Sequence, residues 1–133
     1  MKVFRFKRNW TLSDVRRYSK FLFVFGDNDI RRGKGGQAII RDEPNAMGVP
    51  SKKRPSGEMG AFYFDEEFDE NVRKIKGAIG DIVERLRSGE FEGIIVSKDG
   101  IGTGLAKLPD YAPRTYKFLV SEMNALFREV MKM

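Results

Sequence analysis

The sequence predicts an α/β fold of three layers, helices on both faces of a mixed, mostly parallel sheet, in a single domain spanning 1–133. Three observations carry this. FLFVF at 21–25 and GIIVS at 93–97 are short continuous apolar runs, the signature of strands buried on both faces. A long amphipathic segment separates them and another follows the second, so strands and helices alternate. Glycine-rich stretches leave the carboxyl ends of both runs, where open α/β sheets bind ligands.

The elements follow in order. Val3–Phe6 alternates apolar and basic residues and reads as a short strand. Thr11–Ser19 reads as a short helix capped by Thr11 or Ser13. Phe21–Phe25 is a buried strand, Gly26–Gly36 a loop, and a helix starts near Gly35 and stops at Pro44. Gly48–Lys52 reads as a short strand ahead of a basic loop, and Gly60–Phe64 as another strand or an edge. Asp69–Arg87 is the clearest helix: Val72, Ile75, Ile79, Ile82, Val83 and Leu86 fall on one face, with Asp69 as cap and Gly89 as stop. Gly93–Ser97 is the second buried strand. A last helix runs from about Tyr111 or Pro113 to the end, with Tyr116, Leu119, Val120, Met123, Leu126, Phe127 and Val130 on its apolar face.

Composition narrows the chemistry. The chain has 133 residues, 41% of them hydrophobic, enough for one ordinary core. It has no cysteine and no histidine, which excludes disulfides, thiolate nucleophiles, His-based triads and the usual zinc sites. No apolar run approaches the ~20 residues of a membrane helix, and no apolar segment follows the N-terminal charges as in a secretory signal. A cytoplasmic protein with no membrane partner, monomeric or weakly dimeric, is expected. The net charge of +6 points to an anionic partner or to solubility alone.

The two glycine loops give the anion a place. Gly33, Gly35 and Gly36 in one, and Gly100, Gly102 and Gly104 in the other, let backbone amides approach a ligand without a Cβ in the way. Arg31, Arg32 and Lys34 raise the local potential. Neither loop has Walker A spacing or the G-x-G-x-x-G dinucleotide spacing. Thr103 sits between two glycines, where a hydroxyl meets a phosphate or merely fills a turn. Asn28 orients a ribose or a water, or closes an Asx turn. Asp27 contacts a base or ribose, or caps the same turn. Lys52, in KKRP, is a nucleophile whose pKa Lys53 and Arg54 depress, or part of a solvated basic loop. Phe62, Tyr63 and Phe64 read as core rather than a base-stacking platform.

These residues resemble a known family. GDNDIRRGKGGQAII resembles the first ligand loop of macrodomains, the ADP-ribose-binding modules. VSKDGIGTGLAKLPDYAP resembles the second loop of their terminal ADP-ribose glycohydrolase-type branch, with its Ile-Gly-x-Gly-Leu core. GVPSKK at 48–53 resembles the strand that carries that branch's catalytic lysine. The looser resemblance is to small phage and bacterial proteins with a Phe-Gly-Asp/Ser-Asn strand end. The resemblance implies a macrodomain-like fold that binds ADP-ribose or a related nucleotide through Asp27, Asn28, Gly33, Gly35, Gly36, Gln37, Gly100, Ile101, Gly102, Thr103, Gly104 and Leu105. It implies catalysis, if any, by Lys52 with Asn28, and calls for no metal or cofactor. The hydrolytic branch carries an aspartate directly after Gly-Leu, where this chain has Ala106. Asp27, Asp99 and Asp110 are the carboxylates nearby that can replace it.

A second class of function stays open. Basic clusters at 2–8, 16–20, 31–34 and 52–54, with Phe4, Phe6, Trp10 and Tyr18 among them, suit a nucleic acid. No helix-turn-helix, RRM or zinc pattern accompanies them. A third class, an interaction protein with a vestigial pocket, has no direct signal.

Overall fold

A computed structural model describes residues 1–133. In chain order the elements are β1 (Lys2–Phe6), α1 (Leu12–Arg17), β2 (Phe21–Asn28), β3 (Ala46–Lys52), α2 (Phe68–Arg87), β4 (Gly93–Ser97), α3 (Leu108–Tyr111) and α4 (Pro113–Lys132). Short 3₁₀ turns occupy Gly36–Ile40, Met59–Ala61 and Asp65–Glu67. The four strands form one sheet in the order β1-β4-β2-β3, and every pairing is parallel. The sheet is therefore purely parallel rather than mixed. No helix is long and apolar enough to cross a membrane.

The sheet alternates its side chains between two cores, as period two requires. Leu22 and Val24 of β2 and Ile94 and Val96 of β4 face α2 and α4, where they join Ile75, Ile82, Leu119 and Leu126. Phe23, Phe25 and Ile95 face the other way, onto Trp10, Val15 of α1, and Ala38 and Ile40 of the first 3₁₀ turn. At about 25 cal/mol per Å² of apolar area removed from water, these buried side chains supply the main drive to fold.

Local chemistry explains the ends. Thr11 caps α1: its hydroxyl accepts from the Asp14 amide and the Asp14 carboxylate accepts from the Thr11 amide, a capping box. The α4 terminus is capped from far away. Asp65 accepts from the amides of Arg114 and Thr115 and from the Thr115 hydroxyl. Burial works against this carboxylate, but those donors outweigh it and hold its pKa below the usual range.

Several expectations need correction. The loop expected over Gly26–Gly36 begins late, because β2 continues through Asn28 alongside β3. The helix expected near Gly35 is one 3₁₀ stretch, Gly36–Ile40. Gly60–Phe64 is not a strand: a 3₁₀ turn fills Met59–Ala61, and only Phe62 bridges, antiparallel, to Lys52. The aromatics there pack inward, Phe62 against Tyr111 at 4.8 Å, as core. Asp69 does not cap α2, which starts at Phe68; Asp69 lies in its first turn. Val120, expected on the core face of α4, is exposed. That helix is also split from α3 at Ala112, just ahead of Pro113.

Candidate functional site

Both glycine loops open on one cleft of about 790 Å³ at the carboxyl ends of β2, β3 and β4. The parallel order explains this: adjacent parallel strands deliver their loops to the same edge. Gly33, Gly35, Gly36 and Gln37 line one wall, and Gly102, Thr103, Gly104 and Leu105 the other. Asn28, Ser51 and Lys52 form the floor at the strand ends. Of the residues expected in the site, Gly100 and Ile101 sit just behind the second wall.

One side chain ties the walls together. β2 pairs with β4 only as far as Val24, so the Gly26 amide has no ladder partner. Gln37 Oε1 accepts that amide at 2.9 Å, and Gln37 Nε2 donates to the Gly100 carbonyl at 2.8 Å. The Gln37 carbonyl accepts in turn from the Trp10 indole N–H at 2.9 Å. Leu105 closes over the top, its Cδ1 lying 3.2 Å from where a Gly35 Cβ would stand.

A second arrangement shapes the first loop from behind. The Arg41 guanidinium lies 2.6 Å from the Asp27 carboxylate, both side chains largely buried. The same guanidinium donates to the carbonyls of Gly33 and Arg32. Asp27 lies across Gly48, where any Cβ would stand 2.6 Å from Asp27 Oδ2; glycine is required there. Asp27 borders the cleft, but its charge is spent on Arg41 and on the Asn28 amide. The Asn28 side chain is likewise engaged, donating to the Arg32 carbonyl at 2.7 Å. Asp27 and Asn28 thus hold the loop in shape.

What remains free is a set of donors. The amides of Gly33, Lys34 and Gly35 find no acceptor in the chain, nor do those of Ile101 to Ala106. Ile101 and Gly102 are buried all the same. Buried amides are almost always paired, so unpaired ones in loops that border a cleft suit an anion. Gly102 holds this turn at φ +85°, with Leu108 3.1 Å from any added Cβ. Thr103 spends its hydroxyl on the Asp99 carbonyl within the loop. Ser51, 2% exposed, presents to the cleft a hydroxyl with no partner in the chain.

Lys52 completes the set. It forms no ion pair and lies with Nζ 4.6 Å from the Phe62 ring centroid. Burial, and then the nearby Lys107, push its pKa below the ordinary lysine value. Lys53 and Arg54, expected as its cationic neighbours, pair instead with Glu67 and Glu58. Among the replacement carboxylates, Asp99 lines the cleft without an ionic partner, while Asp110 lies outside it. Sequence reasoning missed Ser51, Arg8 and Trp10 as cleft residues. Only the pleat could have flagged Ser51, as the inward neighbour of Lys52.

The fold and cleft together define a parallel α/β protein with a cleft between two glycine loops that carry unpaired backbone amides. The chain belongs to the family of unknown function DUF7831, whose model matches residues 5–122. That span holds every cleft residue named above. No curated protein and no solved structure matches the chain.

Proposed function

We propose that the protein binds ADP-ribose or a related nucleotide, its phosphates held by the amides of the two glycine loops. The observation that carries this reading is the pair of acceptor-free amide runs, at Gly33–Gly35 and Ile101–Ala106, in two loops that border one cleft and that Gln37 joins through Gly26 and Gly100. Two amide cradles suit a pyrophosphate better than a lone phosphate, and about 790 Å³ is room for a nucleotide. Arg32 and Lys52, neither in an ion pair, add positive charge to the same cleft. The macrodomain-like kinship is part of the proposal. It is supported by the order strand, glycine loop, lysine-bearing strand, helix, strand, glycine loop, helix along the chain.

Hydrolysis of an ADP-ribosyl bond is the second reading, and Lys52 favours it. A partly desolvated lysine without an acidic partner is a better nucleophile than a solvated one. Ala106 stands where the hydrolytic branch carries its aspartate, so binding without turnover is the main reading, with Asp99 the one unpaired carboxylate lining the cleft. Thermal unfolding in the presence of ADP-ribose, AMP, adenosine and inorganic phosphate tests the proposal. A ligand at about 100 times its Kd adds about 2.7 kcal/mol, a shift of several degrees. ADP-ribose is expected to shift the transition most and adenosine not at all; equal, negligible shifts for all four would reject it.

A further inference from the structure

One surface is untouched by this reading. β1 is an edge strand, and the helical layer on the second core is short: α1 has six residues and the 3₁₀ turn five. That layer covers β2 and β3 and reaches only the Phe6 end of β1, where Phe6 packs against Trp10 and Phe23, so that Phe4 is left exposed. The alternate residues Lys2, Phe4 and Phe6 face that side, since Phe4 registers with Ile95 of the second core. Phe4 is 46% exposed and meets Phe21 edge-on at 5.4 Å. Tyr18 is 37% exposed and meets Phe6 at 6.5 Å. Guanidinium groups flank both: Arg8 lies 5.0 Å from the Phe6 ring and Arg17 5.5 Å from the Tyr18 ring.

The charge around these rings is one-sided. Lys2, Lys7, Arg17 and Lys20 are exposed and free of ion pairs, whereas the carboxylates of Asp14 and Glu43 are spent on Arg8 and Arg16. Glu92, at the entry to β4, is the exception. Exposed aromatic faces between unpaired cations are what a single strand of nucleic acid requires: bases stack on the rings and phosphates meet the cations. A duplex keeps its bases stacked on one another and offers the rings nothing. We infer that this aromatic, basic face of β1 and the end of α1 binds single-stranded nucleic acid without sequence preference. The strip leads to the cleft, because Arg8 and Trp10 belong to both. The inference rests on the rings and charges and stands whether or not the cleft takes a nucleotide.

Fluorescence anisotropy with a labelled oligonucleotide of about 12 nucleotides, single-stranded and as duplex, tests it. Four phosphate contacts give a log–log salt slope near −3, or binding about 50-fold weaker at ~200 mM than at ~50 mM salt. Phe4→Ala, at a half-exposed edge position, is expected to weaken single-strand binding about 5- to 150-fold while the chain still unfolds in one cooperative transition. Arg17→Ala combined with Lys20→Ala is expected to halve the slope. Gly104→Glu, which burdens only the cleft, is expected to leave strand binding intact. No binding at low salt, tighter binding of the duplex, or loss in Gly104→Glu but not in Phe4→Ala would each overturn the inference. So would self-association of the protein that Phe4→Ala abolishes, since the patch would then join two copies of this chain.

Discussion

Gln37 is the residue whose removal says most about the site. Gln37→Met keeps the length and apolar stem of the side chain but removes both ends of the tie between Gly26 and Gly100. Each hydrogen bond contributes about 1 kcal/mol net, and each half-buried group left behind adds a desolvation cost at the low end of ~1–3 kcal/mol. The sum is about 2–4 kcal/mol. At an m-value of about 1.5 kcal/mol/M, the urea midpoint falls by about 1.3–2.7 M. The second readout is local: the Gly26 amide, protected by Gln37 alone, is expected to exchange with solvent faster by more than its neighbours in β2. Nucleotide binding falls as well, because the two amide rows lose their spacing. An unchanged midpoint together with an unchanged Gly26 amide would refute the claim that this side chain joins the walls.

Three further outcomes follow from the same geometry. Arg41→Met strands the Asp27 carboxylate in a largely buried position and is expected to cost about 3–5 kcal/mol in urea unfolding, with Asp27→Asn in the same background recovering part of it. Asp65→Ala uncaps α4 and is expected to cost about 1–2 kcal/mol at neutral pH. Because the folded state depresses the Asp65 pKa, that contribution is full above the unfolded carboxylate value near ~4 and is lost as pH falls through the folded value, so the variant and the native chain converge in acid. For Lys52 the sign is opposite: the folded state disfavours its charge, so protonated Lys52 weakens folding at neutral pH, and the deficit fades as pH rises through its lowered pKa. Lys52→Met is therefore expected to be at least as stable as the native chain at neutral pH, with its advantage shrinking toward about pH 10 in paired urea titrations.

Much of the scaffold was legible because its signals are local. FLFVF and GIIVS are apolar without a break, as strands buried on both faces must be, and the Ile75, Ile79, Ile82 and Leu86 spacing is met by burial of all four. The meeting of the two glycine loops followed from a topological rule rather than from any residue. What escaped is carried by long-range side chains. Gln37 reaches a carbonyl 63 positions away, and Asp65 caps a helix that begins 48 residues later, at Pro113. Neither leaves a periodic trace. Gly26–Asn28 read as loop because glycine and two polar residues break the apolar run, yet β3 supplies their pairing. Gly60–Phe64 read as strand because aromatic residues favour strands; here they favour the core beneath α3.

The central claim is that the two rows of amides form a nucleotide site, and calorimetric titration with ADP-ribose at two salt concentrations tests it most directly. Gly104→Glu is the right comparison, because a side chain there meets nothing within 4 Å and the backbone is not left-handed, so the variant folds and only adds a negative charge to the cleft. Saturable binding to the native chain that tolerates salt and disappears in Gly104→Glu is the predicted result. No heat of binding with the native chain, for ADP-ribose, AMP or NAD alike, would contradict it.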